Sequence, residues 1–524
     1  MKYDIVVIGS GIAGMRAAIE AKELGANVAL ITKASPTANN SFMAKGGINA
    51  ALGNMKDKDS IVEHAHETYK SSLGIGNKEA IRIFCEQAPT AIRELSKYGV
   101  NFDKLKNGKV SQRSFGGSKY KRTVHAADET GSAIMKTLHN IIKDYNIDIL
   151  KNYMAINLIT KNNIISGVTL LDEVNKKVLV CEAKSLILAS GGFASLYKNH
   201  TSNVRDATGD GVAMGIRAGL EAMNLEFVQF HPTGLEGSNF LLSEAARGEG
   251  GKLVDENGNS FVDELNTRDF VTRAIYKEFT HGKKVYLDLT HLPEELINDK
   301  LSGIKKRVKT LKKLDVTKDF IPISPVAHYT MGGIKTDTIG RTSIDGLFIV
   351  GEAGDNGVNG ANRLGGNSLS QGAVFGKIAA YEAIKFANKA GKFNGVDYYE
   401  IMKDINYIEE LKEESKRVNA NEIRNKIGEI LFKYLGIIRD EEGIKKAYEE
   451  LVLIEEKIKT SKNGQTTTIK AMIELKNILL VAKAVAMSAL LREESRGAHF
   501  RSDFPEKDHK FKKDTLVTIS DISV

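Results

Sequence analysis

Apolar and polar positions along this chain fall into three textures. In the first, residues 3–7 form a short apolar run that reads as a buried strand, and residues 15–24 follow with helical spacing until Gly25 stops them. A second strand is expected over 27–31 and a long helical stretch over 61–95, closed by Gly99. Two β-rich runs, 155–171 and 177–188, read as a hairpin around a charged turn near Glu173. The texture changes at Glu226, where short strands, turns and isolated helices continue to about Val326. Residues 346–352 then restore the first texture, a buried strand running into a glycine and a carboxylate, and a helix is expected over 370–387. The third texture, 398–492, is charged and largely helical. Ile427, Leu431, Leu435 and Ile438, and later 473–491, recur at helical spacing, as in an antiparallel bundle. Beyond Gly497 the chain reads as an irregular, charged tail.

These textures imply an α/β chain of several domains. A Rossmann-like nucleotide domain is expected over 1–225 and 327–385, interrupted by an α+β domain over 226–326 and followed by a helical domain over 386–496 and a tail over 497–524. The 524 residues are too many for one core, and 42% hydrophobic with 27% charged residues is ordinary globular composition. Two cysteines, Cys85 and Cys181, exclude a disulfide framework, a thiolate zinc site and a chain-borne iron–sulfur cluster. No metal site is expected, and a reducing, cytoplasmic setting fits. No apolar stretch reaches bilayer length and nothing resembles a signal peptide, so membrane contact would have to run through a partner. The formal charge of +8 reads as lysines spread over solvated faces, with no aromatic-interleaved basic stripe for nucleic acid.

Between the first strand and helix stands Gly9-Ser10-Gly11-Ile12-Ala13-Gly14. Gly9 permits the tight turn, Gly11 lets backbone approach a pyrophosphate, and Gly14 lets helix lie close to strand. Free N–H groups at the helix start, around Ile12 and Ala13, favour an anion. A dinucleotide is the expected ligand. Where NAD-binding units end their second strand in a carboxylate, this chain has Lys33, which argues against NAD and suits a phosphate. Further glycine turns mark backbone able to lie against a flat ligand: Ala44-Lys45-Gly46-Gly47, Gly191-Gly192, Thr208-Gly209-Asp210, Gly351-Glu352, and the approach to a helix at Asn367-Ser368-Leu369.

Polar residues gather beside glycine and proline in the inserted segment and at its borders. They are His231 in 230–234, Ser243, Glu244 and Arg247 in 243–251, Arg268 beside Asp269, His328 in 328–333, and Arg363 in 361–367. Two histidines and three arginines near a cofactor suit a dianionic substrate, because guanidinium forks bind carboxylates bidentately and imidazole adds a donor.

In order along the chain run GSGIAG, AKGGI, FGG with RTVHAAD, ASGG, TGDG, EFVQFHPTG, LLSEAARGEGG, TRD, PVAHYTMGG, GLFIVGE, GANRLGGNSL and EESRGAH. On these motifs the chain resembles the flavoprotein subunits of succinate dehydrogenase and fumarate reductase, a family that also includes L-aspartate oxidase, from Lys2 to about Asp514. The resemblance implies FAD on the discontinuous domain, a mobile capping domain over 226–326, and interconversion of fumarate and succinate by hydride transfer at flavin N5. It implies that His231 and Ser243 hold one substrate carboxylate, that His328 and Arg363 hold the other, and that Arg268 exchanges the proton, fed through Glu244 and Arg247.

Two positions refine this expectation. Relatives coupled to respiration carry a histidine covalently joined to FAD where this chain has Asn40, so the resemblance implies a noncovalent flavin and favours fumarate reduction. That absence also resembles L-aspartate oxidase, the alternative reading. Against it stands Phe115 in Arg113-Ser114-Phe115-Gly116-Gly117, where the oxidase resemblance would require a glutamate for the substrate ammonium. The chain lacks cysteines for electron relay, so the implied partners are an iron–sulfur subunit together with a membrane-bound or thiol-oxidising one, the latter able to hold it at the inner face of the cell membrane.

Overall fold

The computed structural model describes residues 1–461 and 466–522. Lys2–Ile8 lies between Val28–Thr32 and Lys177–Leu188 in a seven-stranded sheet, whose parallel part also holds Asp148–Lys151 and Leu347–Ile349. The carboxyl ends of four of these strands are level: Ile8 pairs with Ile31 and Leu188, and Leu188 with Ile349. Ligands of such sheets sit beyond those ends, and there the loops through Gly9, Lys33, Gly191 and Gly351 emerge together. The helices Ile12–Glu23 and Asn367–Ala390 pack on each other and on the sheet, so their N-termini open on the same side.

Two expected elements are divided. The run over 155–171 is two strands, Tyr153–Lys161 and Ile164–Asp172, turning back at Asn162 and Asn163 with φ of 55° and 59°. Asparagine tolerates this left-handed backbone, and Lys177–Leu188 completes a meander after the charged turn. The stretch over 61–95 is likewise two helices, Ile61–Ser71 and Lys78–Lys97. Ser60 and Asn77 cap their first turns with side-chain acceptors, and the Asn77 cap lets a new helix begin in a new direction.

Residues 228–330 build an antiparallel sheet in the order Val228–Leu235, Ile321–Thr330, Val285–Asp288, Lys252–Asp255. The helix Arg268–Thr280 crosses it, and Leu235, Leu242, Val271, Ile275, Leu287 and Ile321 form a separate apolar core there. The first two strands pair Val228 with Thr330 and His231 with Val326, with bulges after Gln229 and after His231. Bulges re-aim side chains beside functional sites.

The helices Tyr398–Ser415, Ala420–Tyr434, Glu441–Thr460 and Ile469–Leu491 follow; Ile427, Leu431 and Leu435 are buried and Ile438 is half-buried. The end of the described chain is largely irregular, as expected, but it is packed into the fold. Leu516–Val517 adds a strand to Ala222–Met223, and Arg492, Arg496 and Arg501 are buried beside carboxylates. Glu226, fully enclosed, accepts from Arg492 Nε at 2.5 Å and from Thr515 Oγ1 at 2.8 Å. Composition reads such charges as solvated; here each is paired inside the fold, where an unpaired charge would be strongly destabilising.

Candidate active site

The glycine loops enclose a cavity of about 160 Å³ whose wall includes Gly9, Gly11, Ile12, Ala13, Gly191 and Asp210. It borders a second of about 530 Å³, and Asn40, Ser41, Tyr329, Glu352 and Ser368 line both. Gly9 has φ of 109°, and a Cβ on Gly14 would lie 1.8 Å from the Gly9 carbonyl oxygen, so only glycines let this helix start flush with its strand. Gly14, Gly192 and Asn367 line neither cavity. Asn367 acts from behind: its Oδ1 meets His64 Nε2 at 3.0 Å and accepts from Asn49 Nδ2 at 2.8 Å, and its Nδ2 donates to Thr68 Oγ1 at 3.1 Å. This fixes the helix start that presents Ser368 and Leu369 to the larger cavity.

Lys33 needs correction. It lines the smaller cavity, but its ammonium donates to Thr208 Oγ1 at 2.8 Å, Asp210 Oδ2 at 2.6 Å and Glu474 Oε1 at 2.8 Å. Burial opposes its charge, but Asp210 and Glu474 outweigh burial and raise its pKa. All three protons are committed to the chain itself, so Lys33 is a strut between sheet and helices rather than a free phosphate ligand.

The larger cavity collects the polar clusters. His231 and His328 come from neighbouring strands, Arg268 opens the helix that crosses them, and Arg363 precedes Asn367–Ala390. Ser243, Glu244, Phe115, Ala44, Gly46 and Gly47 complete its wall. The two imidazoles meet edge to face with centroids 5.5 Å apart. A line of charge runs from Arg268 Nη2 to Glu244 Oε2 at 2.8 Å and from Glu244 Oε1 to Arg247 Nη2 at 3.2 Å, with Arg247 just behind the wall. The Arg363 guanidinium lies 4.2 Å over the Tyr329 ring. The Phe115 ring is slotted between glycines: a Cβ on Gly46 would come within 2.5 Å of it, and one on Gly365 within 2.6 Å.

Gln229, inside the EFVQFHPTG motif but given no role from the sequence, is the hub of the cage. Its Oε1 accepts from Arg268 Nη1 and Arg363 Nη2, both at 3.0 Å, and its Nε2 donates to Asn362 Oδ1 at 2.8 Å and to the Arg363 carbonyl at 3.0 Å. One amide thus holds two like charges at a fixed spacing.

Burial and the surrounding guanidiniums hold both imidazoles well below their ordinary pKa, so they are neutral near pH 7. His231 Nδ1 accepts the Thr233 N–H at 3.2 Å, which leaves its proton on Nε2. His328 Nδ1 pairs with Ser202 Oγ at 2.8 Å. Burial would raise the Glu244 carboxyl, but Arg268 and Arg247 outweigh it and keep Glu244 ionised. Burial lowers Arg363 to about 10, still charged at neutral pH. Three guanidiniums against one carboxylate give the cage a positive excess.

An FAD binding domain profile matches residues 4–369, and a fumarate reductase flavoprotein C-terminal profile matches 424–523. An uncharacterized FAD-dependent oxidoreductase of Methanocaldococcus jannaschii is 39% identical, across 99% of this chain and 96% of its own. A fumarate reductase (CoM/CoB) chain of Methanothermobacter marburgensis is 34% identical, across 98% and 96%. A mutant of the E. coli quinol fumarate reductase flavoprotein FrdA superposes with a TM-score of 0.91 at 32% identity, covering 99% of this chain and 94% of that one. The chain belongs to the succinate dehydrogenase/fumarate reductase flavoprotein family.

The residues present fit the FAD of this family. Two helix N-termini, at Ile12 and Asn367, open beside the joined cavities, where backbone N–H groups and the helix dipole suit a pyrophosphate. Ser190 Oγ, on the smaller cavity's wall, is buried and has no partner among the described residues. Gly46 and Gly47 line the larger one without side chains of their own. Asn40, between the two, spends its amide on the protein: Oδ1 accepts from the Val204 N–H at 2.9 Å and Nδ2 donates to Asn203. Among the described residues no group of three or more His, Cys, Asp or Glu could hold a metal, and no helix is long and apolar enough to cross a membrane.

Proposed function

We propose that this chain reduces fumarate to succinate as the flavoprotein subunit of a fumarate reductase, with FAD held noncovalently. The observation that carries the reading is the buried cage in which neutral His231 and His328, charged Arg363 and charged Arg268 line one cavity with Phe115. The His231 Nε2–H and Ser243 bind one carboxylate of the dianion, and His328 and Arg363 bind the other. Holding both ends fixes the alkene between them and draws its electrons toward the carboxylates. The reduced flavin, when bound, supplies the hydride to one alkene carbon. Arg268 gives an Nη proton to the neighbouring carbon, completing the second C–H bond. Glu244, ionised between two guanidiniums, passes a replacement proton from the Arg247 side, along the 3.2 Å and 2.8 Å contacts.

Phe115 presents an apolar surface to the unsubstituted carbons. The nearby Glu244 is already shared by two guanidiniums, and burying an ammonium against the Phe115 ring would cost several kcal/mol; this favours fumarate over L-aspartate. Asn40 has no nucleophilic nitrogen, which supports noncovalent FAD. Both cysteines are buried and free, and in this reading an iron–sulfur partner, with a membrane-bound or thiol-oxidising subunit, supplies the physiological electrons. In this reading residues 226–326 are the cap that closes the site.

The test is fumarate-dependent oxidation of a reduced viologen by the flavin-loaded protein. Turnover of fumarate is expected, with Arg268→Ala abolishing it while leaving the flavin bound. Oxidation of L-aspartate to iminoaspartate and peroxide at a rival rate would reverse the assignment. Acid precipitation should release the flavin; a yellow pellet would refute noncovalent attachment.

A further inference from the structure

The larger cavity is also lined by three cations that the cage does not use. Lys45 comes from the glycine strip, and Lys306 and Arg307 from the helix Ser302–Lys312. Lys45 Nζ lies 4.8 Å from the centroid of the Phe240 ring, and the Arg307 guanidinium 5.8 Å from the same centroid. One aromatic ring therefore joins the two sides of the opening, its electron-rich face attracting a cation from each. Lys306 and Arg307 are exposed and Lys45 is half-buried. Among the described residues none of these three side chains has a carboxylate or hydrogen-bonding partner. Lys305, the preceding residue on the helix, contrasts with them: it lines neither of the two joined cavities, and its ammonium reaches Glu294 Oε1 and Asn298 Oδ1, both at 2.9 Å.

We infer that Lys45, Lys306 and Arg307 form a capture site that takes the dicarboxylate dianion from solution and feeds it to the buried cage. This rests on the function proposed above and adds how the substrate enters. A cleft lined by one sign of charge, with low-dielectric walls, concentrates ions of the opposite sign and speeds their entry. Burial and nearby Arg307 both disfavour the Lys45 charge, against help from Asp128 and Glu129, so an arriving anion relieves an existing repulsion. Without such a port a dianion would have to shed its water before meeting the first compensating charge of the cage.

The experiment compares the flavin-loaded wild type with the double variant K306Q/R307Q and the control K305Q, in fumarate reduction and in binding of malonate followed by flavin absorbance. At an ionic strength of about 10 mM, where the screening length is about 30 Å, kcat/KM of the double variant should fall about five- to tenfold and malonate affinity should fall with it. kcat and the bound flavin should be unchanged, and K305Q should match the wild type. At about 0.5 M the deficit should shrink below about twofold, because screening removes what the charges supplied. Equal kcat/KM at low salt, or a deficit of the same size at every salt, overturns the capture site and leaves the proposed function standing. A wild type that reduces no fumarate overturns both.

Discussion

Replacing Glu244 by glutamine separates the two roles that its charge plays. In the native cage the carboxylate serves Arg268 at 2.8 Å and Arg247 at 3.2 Å, and all three side chains are largely enclosed. A glutamine keeps one acceptor oxygen, so its NH2 must face one of the two guanidiniums, donor against donor. Removing one partner of a buried ion pair costs about 3–5 kcal/mol; with one acceptor retained, a smaller loss, about 2–3 kcal/mol, is expected for the ligand-free protein. The charge count works the other way for the ligand. Arg268, Arg363 and Arg247 against Glu244 give +2 before Glu352 on the same wall is counted, and the neutral imidazoles add nothing; the variant raises the sum by one, with Glu352 common to both. A non-reacting dianion such as malonate should therefore bind E244Q more tightly and raise its melting temperature more than it raises the wild type's. Turnover should move in the opposite direction, with kcat falling about 10²-fold or more once the relay to Arg268 is cut, while flavin absorbance is retained. The assays are thermal melts with and without malonate and steady-state fumarate reduction on the same preparations. A kcat within about threefold of the wild type would refute the relay, and a smaller malonate shift in the variant would refute the charge count.

Two other expectations follow from the nucleotide side. Gly14→Ala places a Cβ 1.8 Å from the Gly9 oxygen, a backbone overlap that should cost about 3 kcal/mol or more and open the glycine turn; flavin content of the purified variant should collapse, and full occupancy would contradict the packing described. Burial raises the carboxyls of Glu352 and Asp355 from 4.5 and 3.8 to about 7 in the flavin-free chain, so the folded state keeps protons that the unfolded state has released. Their contribution is therefore favourable at low pH, declines as pH rises from about 4 to about 7, and is level above that window, by about 3–4 kcal/mol for each group. Relative to the wild type, E352Q/D355N should gain stability over that window in pH-dependent melts, and a constant difference would disprove it.

What the chain discloses to a reader of its sequence depends on how local the cause is. The turn at Gly9 and Gly14 is legible because the backbone demand falls on residues five apart. The strand-to-glycine junctions at Gly191 and Gly351 are legible for the same reason. The break between the helices Ile61–Ser71 and Lys78–Lys97 is marked locally by Gly74, Gly76 and the Asn77 cap, and is hidden only from a reading of apolar spacing, which continues across it. Lys33 shows the limit most clearly. Its place at a strand end is local, but Glu474, which consumes one of its protons, lies 441 residues away. Gln229 lies inside a quoted motif, yet its role is hidden for a similar reason: its meaning comes from Arg363, 134 residues later, and glutamine in an apolar strand carries no chemical signature of its own. The cage residues could be named because their types and their resemblance to a family agree, whereas the hub between them could only be seen once they were brought together.

The buried Glu226, three residues before Gln229, takes its hydrogen bonds from Arg492 and Thr515, the latter 289 positions further along. The strand that carries the cage is therefore braced by residues that are synthesised well after the nucleotide walls. A ribosome adding about 5–20 residues per second completes the helix Asn367–Ala390, and with it the nucleotide walls, on the order of ten seconds before it delivers Thr515. Cofactor uptake and catalytic competence then belong to different moments of the polypeptide's birth. A nascent chain arrested between them would be yellow and inert.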